Sequence, residues 1–255
     1  MTPPSLPQIP EIWQETLHWQ PNAEQQAQFQ KLYQLILEGN QKLNLTRITE
    51  PQEFWEKHLW DSLRGIAFLW KKPTSDSYLQ LQGNTADKVQ YIDIGTGAGF
   101  PGLPVAISVP NSVVTLLDST RKKITFLQKT VSVLELRNVK TLTGRAEETG
   151  QQPEHRQKYD VALIRALGTA AVCAEYSLPL LKQGGLAIIY RGNWTENETA
   201  KLQGAVKQLG GVIESIEEFT TPLSHSIRHC LYLRKVANTP AQFPRGVGIP
   251  TQKPL

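Results

Sequence analysis

The chain has 255 residues, 40% hydrophobic and 20% charged, with six Trp, seven Tyr and seven Phe, which supplies a sizeable core and excludes wholesale disorder. Two cysteines cannot build a disulfide framework, neither sits at metal-ligand spacing, and the apolar runs fall far short of the ~20 residues of a membrane span; an unexported, cytoplasmic protein that makes no membrane contact is expected. The formal charge is only +4, but residues 119–145 carry seven cations against the single acid Glu135, and from Phe219 onward there are five cations and no acid. Two such basic surfaces suit a nucleic acid, the alternative being solvated faces.

Prolines 3, 4, 7 and 10 at the front and 240, 244, 250 and 254 at the back predict ends without regular structure. Asn22 with Gln25 three residues on is a capping box, and Ala27, Leu32 and Ile36 continue a helix that Gly39 should stop. Thr49, Pro51 and Gln52 announce a second helix reaching about Leu69. On it His58, Asp61 and Ser62 share one face. That trio reads as a polar clamp over a pocket or as an RNA-positioning group; it is no hydrolytic triad, because residues on one turn point outward in parallel. Residues 72–88 are a polar linker.

From Val89 short β-rich runs alternate with helical stretches: VQYIDI, VVTLLD, VKTLTG, YDVALIRA and LAIIYRG, then VIESIEEF and IRHCLYLRKV. This is the pattern of βαβ units, and it predicts an α/β, Rossmann-like, doubly wound and mostly parallel sheet with ligands at the carboxyl ends of its strands. The expected division is a helical extension and linker (1–88), a ligand-binding core (89–236) and a Pro-rich basic tail (237–255).

The first of these strands ends at Asp93 and runs into Gly95, Gly97 and Gly99, a loop that lets a ligand approach the main chain. Gly97, Gly99 and Gly102 also match G-x-G-x-x-G, so a nicotinamide oxidoreductase has to be weighed. Asp93 favours a ligand with an ammonium group over a pyrophosphate, as in S-adenosylmethionine. Asp118 ends the next strand, placed to accept ribose hydroxyls, and Ala146 and Glu147 follow the third, near an adenine edge. Arg165, at the end of the fourth, is a donor that cannot act as a base but suits a guanine O6 or a phosphate; it could equally pair with a cofactor carboxylate or a structural acid. No cysteine sits where a carbon-methylating nucleophile would, and no general base is assigned. Other open readings are a non-catalytic RNA-binding module and a methyltransferase of small molecules or proteins.

With these residues in view, NLTRI (44–48), HLWDSL (58–63), DIGTGAGFPGLPVAI (93–107), LLDSTRKKITFL (116–127), GRAEE (144–148), DVALIRALG (160–168), YRG (190–192) and FPRGVGIPTQKPL (243–255) resemble the bacterial small-subunit rRNA guanine-N7 methyltransferases called RsmG or glucose-inhibited division protein B. The resemblance implies a class I adenosylmethionine-dependent fold and a cofactor pocket at Gly95, Phe100, Asp118, Ser119, Thr120, Ala146, Glu147 and Arg165. It also implies methylation of a guanine in the 530 loop of small-subunit (16S) rRNA, naked or in a 30S assembly intermediate, by a monomer. His58, Arg121, Lys122, Arg165 and Arg191 are the candidates for holding that RNA. The longer front end, 1–20, and the 72–88 linker depart from a compact member.

Overall fold

A computed structural model gives the structure of the protein, and it describes residues 4–70 and 88–255. The expected 72–88 linker thus lies, but for Lys88, outside the described residues. A seven-stranded sheet carries the fold: β1 (Val89–Ile94), β2 (Ser112–Asp118), β3 (Val139–Thr143), β4 (Tyr159–Arg165), β5 (Leu181–Arg191), β6 (Gly211–Thr220) and β7 (Ile227–Lys235), in the order β3-β2-β1-β4-β5-β7-β6. The first five pair in parallel; β7 runs antiparallel to both β5 and β6. The chain winds outward from β1 through β2 to β3 and then returns to β4. The crevice where that direction reverses, between the carboxyl ends of β1 and β4, is where ligands bind in such sheets.

The front end is more ordered than its prolines suggest. Pro10 occupies the first turn of α1 (Pro10–Leu17), where its missing N–H costs nothing, and α1 buries Trp13 and Leu17. Helix α2 (Ala23–Leu43) opens on the expected Asn22/Gln25 capping box but runs past Gly39 and ends at Asn44, in the left-handed region. Gly39 is a packing residue: a Cβ there would lie 2.4 Å from the Phe126 ring, so its bareness lets α2 close on α6 (Arg121–Val133).

The next helix starts as α3 (Pro51–Phe54), widens into a π-helical stretch (Trp55–Trp60) and narrows again as α4 (Asp61–Arg64). It ends well before Leu69; residues Ala67–Leu69 form one 3-10 turn. Two tyrosines tie it to the sheet: Tyr190 Oη donates to Ser62 O (2.7 Å) and Tyr232 Oη to Gly65 O (3.0 Å). Trp13, Leu32, Trp55 and Leu59 share one core with Tyr91, Val161 and Ile188 from the sheet, so the helical front and the sheet are cemented through a common apolar layer. Ala162, Ile164, Ile189 and Leu231 pack on the opposite face with α8 (Ala170–Ser177) and α9 (Glu196–Gln208).

The tail is docked as well. After it the short helix α10 (Ile249–Gln252) follows. The Arg245 guanidinium forks onto Glu175, with Nη2–Oε2 2.6 Å and Nε–Oε1 2.9 Å. Arg156 donates to the carbonyls of Phe243 (2.7 Å), Gly150 (2.9 Å) and Thr239 (2.9 Å). Each bond satisfies a backbone acceptor that a strand or helix would otherwise have taken.

Candidate active site

The loop after β1 is built by hydrogen bonds to β2. Gly95 N and Thr96 N both donate to Leu117 O (2.8 and 3.0 Å), and Gly97 N donates to Asp118 Oδ2 (3.0 Å). Gly97 has φ 60°, and a Cβ on it would meet nothing nearer than Gly95 O at 3.9 Å, so its bare face opens onto the adjoining space. That space is a cavity of about 450 Å³ at the switch point of the sheet, walled by Gly95, Gly97, Asp118, Ser119, Thr120, Ala146, Glu147 and Arg165. These are eight of the ten expected cofactor residues.

The other two, Asp93 and Phe100, do not line it. Asp93 lies fully buried beneath the loop, where Oδ2 accepts from Thr96 Oγ1 (2.6 Å) and Gly102 N (2.7 Å). A Cβ on Gly102 would sit 2.8 Å from that oxygen, which is why the helix opening there begins with glycine. Oδ1 has no partner among the described residues, and burial raises the carboxyl to about 6. Phe100 is buried in an aromatic stack instead, its ring 4.4 Å from that of His58 and nearly parallel to it (10°).

Asp118 uses one lone pair of each oxygen on the backbone, Oδ1 accepting from Thr120 N at 2.8 Å, and so starts α6 itself; neither Ser119 nor Thr120 caps that helix with its side chain. A carboxylate oxygen accepts more than one bond, so both retain capacity toward the cavity. Glu147 Oε1 accepts from Tyr176 Oη (3.1 Å) and from Gly248 N of the tail (3.0 Å).

Arg165 stands in the wall between this cavity and a second one. The second, about 400 Å³, is lined by His58, Asp61, Tyr190, Arg191 and Gly192, together with Glu56, Lys57, Thr221 and Arg228. Four cations face two acids there. Arg165 Nη1 donates to Asp61 Oδ2 (2.9 Å) and Lys57 O (2.8 Å), and its Nη2 lies 3.3 Å from His58 Nδ1. The clamp drawn by His58 and Asp61 therefore closes on Arg165. Ser62 does not join it: its hydroxyl bonds back to His58 O. Burial first, then the Arg165 and Lys57 charges, lower His58 to about 3, so the ring is neutral at ordinary pH. Arg191 Nη1 donates to Gly168 O (2.8 Å).

Arg121 and Lys122 are exposed at the start of α6 and belong to neither wall, whereas Lys123 reaches the first cavity. The late basic run is not one surface. Arg245 is taken by Glu175, Arg234 by Glu214 and Lys235 is buried, leaving Arg228 in the second cavity. Sequence reasoning missed Lys123, Thr251, Glu56 and Arg228 as wall residues. Only Thr251, inside the Pro-rich tail motif, carried a local signal. Both thiols are buried and raised by desolvation, Cys173 to about 12, which suits packing and not nucleophilic attack.

A family model described as "GidB: rRNA small subunit methyltransferase G" matches residues 25–230. A protein of Nostoc punctiforme described as "Ribosomal RNA small subunit methyltransferase G" is 68% identical over 251 residues, 98% of each chain. One of the same description from Trichormus variabilis is 66% identical over 250 residues, again 98% of each. Among solved structures, the methyltransferase-type CMeT domain of citrinin polyketide synthase superposes with a TM-score of 0.51 at 9% identity, covering 71% of this chain and 53% of that one; the likeness is one of fold. Among the described residues no helix is long and apolar enough to cross a membrane.

Proposed function

The chain belongs to the small-subunit rRNA methyltransferase G family, and from that premise we propose that it methylates N7 of a guanine in the 530 loop of small-subunit rRNA with S-adenosylmethionine as methyl donor. The observation that carries this reading is the pair of cavities meeting at Arg165, one walled by strand-end acids and a bare glycine loop, the other ringed by cations.

The first cavity fits the cofactor. Asp118 would accept ribose hydroxyls, Ala146 and Glu147 would meet the adenine edge, and the unpartnered Asp93 Oδ1 beneath the loop supplies negative charge for an ammonium group. When bound, the cofactor supplies a methyl group on a sulfonium that an incoming lone pair can take directly. Guanine N7 has such a lone pair and no proton to lose, so no base is needed, and none is offered by a buried neutral His58 or by Arg165.

The second cavity would hold the target base, lifted out of its stack. Arg165 would donate to guanine O6, where adenine presents an amino group that a donor repels. Lys57, Arg191 and Arg228 would meet phosphates, which position RNA without reading sequence. Rate then comes from proximity and orientation, an effect worth up to ~7–11 kcal/mol. The enzyme acts in this reading as a cytoplasmic monomer on naked rRNA or on an assembly intermediate.

The test is mass analysis of small-subunit rRNA from a deletion strain before and after complementation, joined to calorimetric titration with adenosylmethionine and with NAD. Loss and recovery of one methyl on a 530-loop guanine, with binding of adenosylmethionine alone, is expected. An unchanged methylation pattern, or binding of NAD in its place, would overturn the proposal.

A further inference from the structure

Arg165 carries five N–H donors and no acceptor, so whatever lies beside it must accept. Two of those donors go to Lys57 O and Asp61 Oδ2, and a third points at His58 Nδ1, 3.3 Å away. A hydrogen on Nδ1 would set donor against donor. The proton of the neutral ring therefore belongs on Nε2, which lies 2.8 Å from Thr46 Oγ1.

That hydroxyl is itself fixed. It accepts from Ile48 N (3.0 Å), and the backbone of Thr46 is clasped on both sides by the Asn40 amide, Thr46 N to Oδ1 at 2.9 Å and Nδ2 to Thr46 O at 2.8 Å. The imidazole plane is held by its stack on Phe100 and an edge contact with Phe54, ring centres 5.0 Å apart. His58 has no rotational freedom left, and its free lone pair points one way.

We propose that Thr46 is a positioning residue for methyl transfer: it selects the Nε2–H tautomer of His58, whose Nδ1 lone pair then aims the Arg165 guanidinium at the target base. The inference rests on the reading of Arg165 given above. It also gives work to two sequence segments that cofactor binding leaves unused, NLTRI and HLWDSL, by joining them to the IRA strand end. Asp61 and Lys57 O fix one end of the guanidinium and His58 the other, so among the described residues Arg165 keeps its Nε–H and one Nη2–H for an incoming acceptor.

Thr46→Val keeps the shape of the side chain and removes the acceptor; Thr46→Ser keeps the hydroxyl. With the full-length enzyme and small-subunit rRNA, Thr46→Val should lower kcat by about tenfold to a hundredfold, the range for a misplaced contact. Adenosylmethionine affinity should stay within about twofold of wild type, since Thr46 touches neither wall of that cavity, and Thr46→Ser should restore most of kcat. Independently, long-range 1H–15N spectra of wild type should place the His58 proton on Nε2, and Thr46→Val should populate the other tautomer. A wild-type proton on Nδ1 overturns the relay, and so does Thr46→Val with wild-type kcat. If the wild type itself fails to methylate small-subunit rRNA, the functional reading falls, while the spectra still decide the relay even where a variant does not fold.

Discussion

Replacing Asp93 with Asn should strengthen the fold and weaken the enzyme. The carboxylate is fully buried, one oxygen bonded twice and the other without a partner, and its pKa is raised from 3.8 to about 6, chiefly by desolvation. An acid whose folded pKa exceeds its unfolded value holds its proton more tightly when folded. The stability this gives is complete below about pH 3.8 and is lost as pH rises through about 6. At ~1.4 kcal/mol per pH unit over that interval, wild type forgoes about 3 kcal/mol between pH 4 and pH 8 on account of this group. Asparagine keeps an oxygen for Thr96 and Gly102 and carries no charge. In urea titrations the stability of Asp93→Asn relative to wild type should therefore rise by about 3 kcal/mol from pH 4 to pH 8. Adenosylmethionine affinity at pH 8 should fall by about tenfold or more, because the charge meant for its ammonium group is gone. A stability difference that stays flat with pH, or shrinks as pH rises, would refute the reasoning from burial. Unchanged affinity would refute the assignment of Asp93 to the cofactor.

Arg245→Ala should cost about 3–5 kcal/mol in thermal or urea unfolding, because Glu175 is fully buried and would keep its charge without its partner; adding Glu175→Gln should recover most of the loss. Asp118→Ala should cost on the order of 2–3 kcal/mol of cofactor binding by calorimetry, since it removes the ribose acceptor and frees two loop N–H groups at once. Replacing Arg121 and Lys122 with Gln, at the exposed start of α6, should flatten the salt dependence of rRNA binding by up to about two units of log-log slope and leave cofactor affinity unchanged. An unchanged slope would make them a solvated face.

What was legible in the sequence followed from strand ends. Asp118, Glu147 and Arg165 close or follow β-rich runs, and a parallel sheet brings all such ends to one edge, so their convergence could be foreseen without coordinates. Asp93 obeyed the same logic but not its consequence, because the glycine loop folds back over the carboxylate and takes both of its bonds. Phe100 was misplaced because its partner, His58, lies 42 residues earlier in the chain, and no local pattern reports a stack of that kind. Gly39 shows the limit of propensity. Glycine signals a helix stop unless a ring from another helix requires the space, and Phe126 does. Pro10 and Pro250 were read as breakers, although each sits in a first helical turn, the one place where proline is tolerated.

The π-helical stretch at Trp55–Trp60 also restricts what can happen to the gene. Its i to i+5 bond, Asp61 N to Glu56 O, means that the helix holds one residue more than a regular turn would. A frame-preserving deletion of a single codon anywhere between 55 and 60 would be absorbed easily by the backbone, which would simply become α-helical. It would also turn everything downstream by about 100°, carrying Asp61 away from Arg165 and the Ser62 carbonyl away from Tyr190. A helix that looks generic in sequence is thus a segment of fixed length: point changes on its solvent side are open to drift, but the number of residues is not.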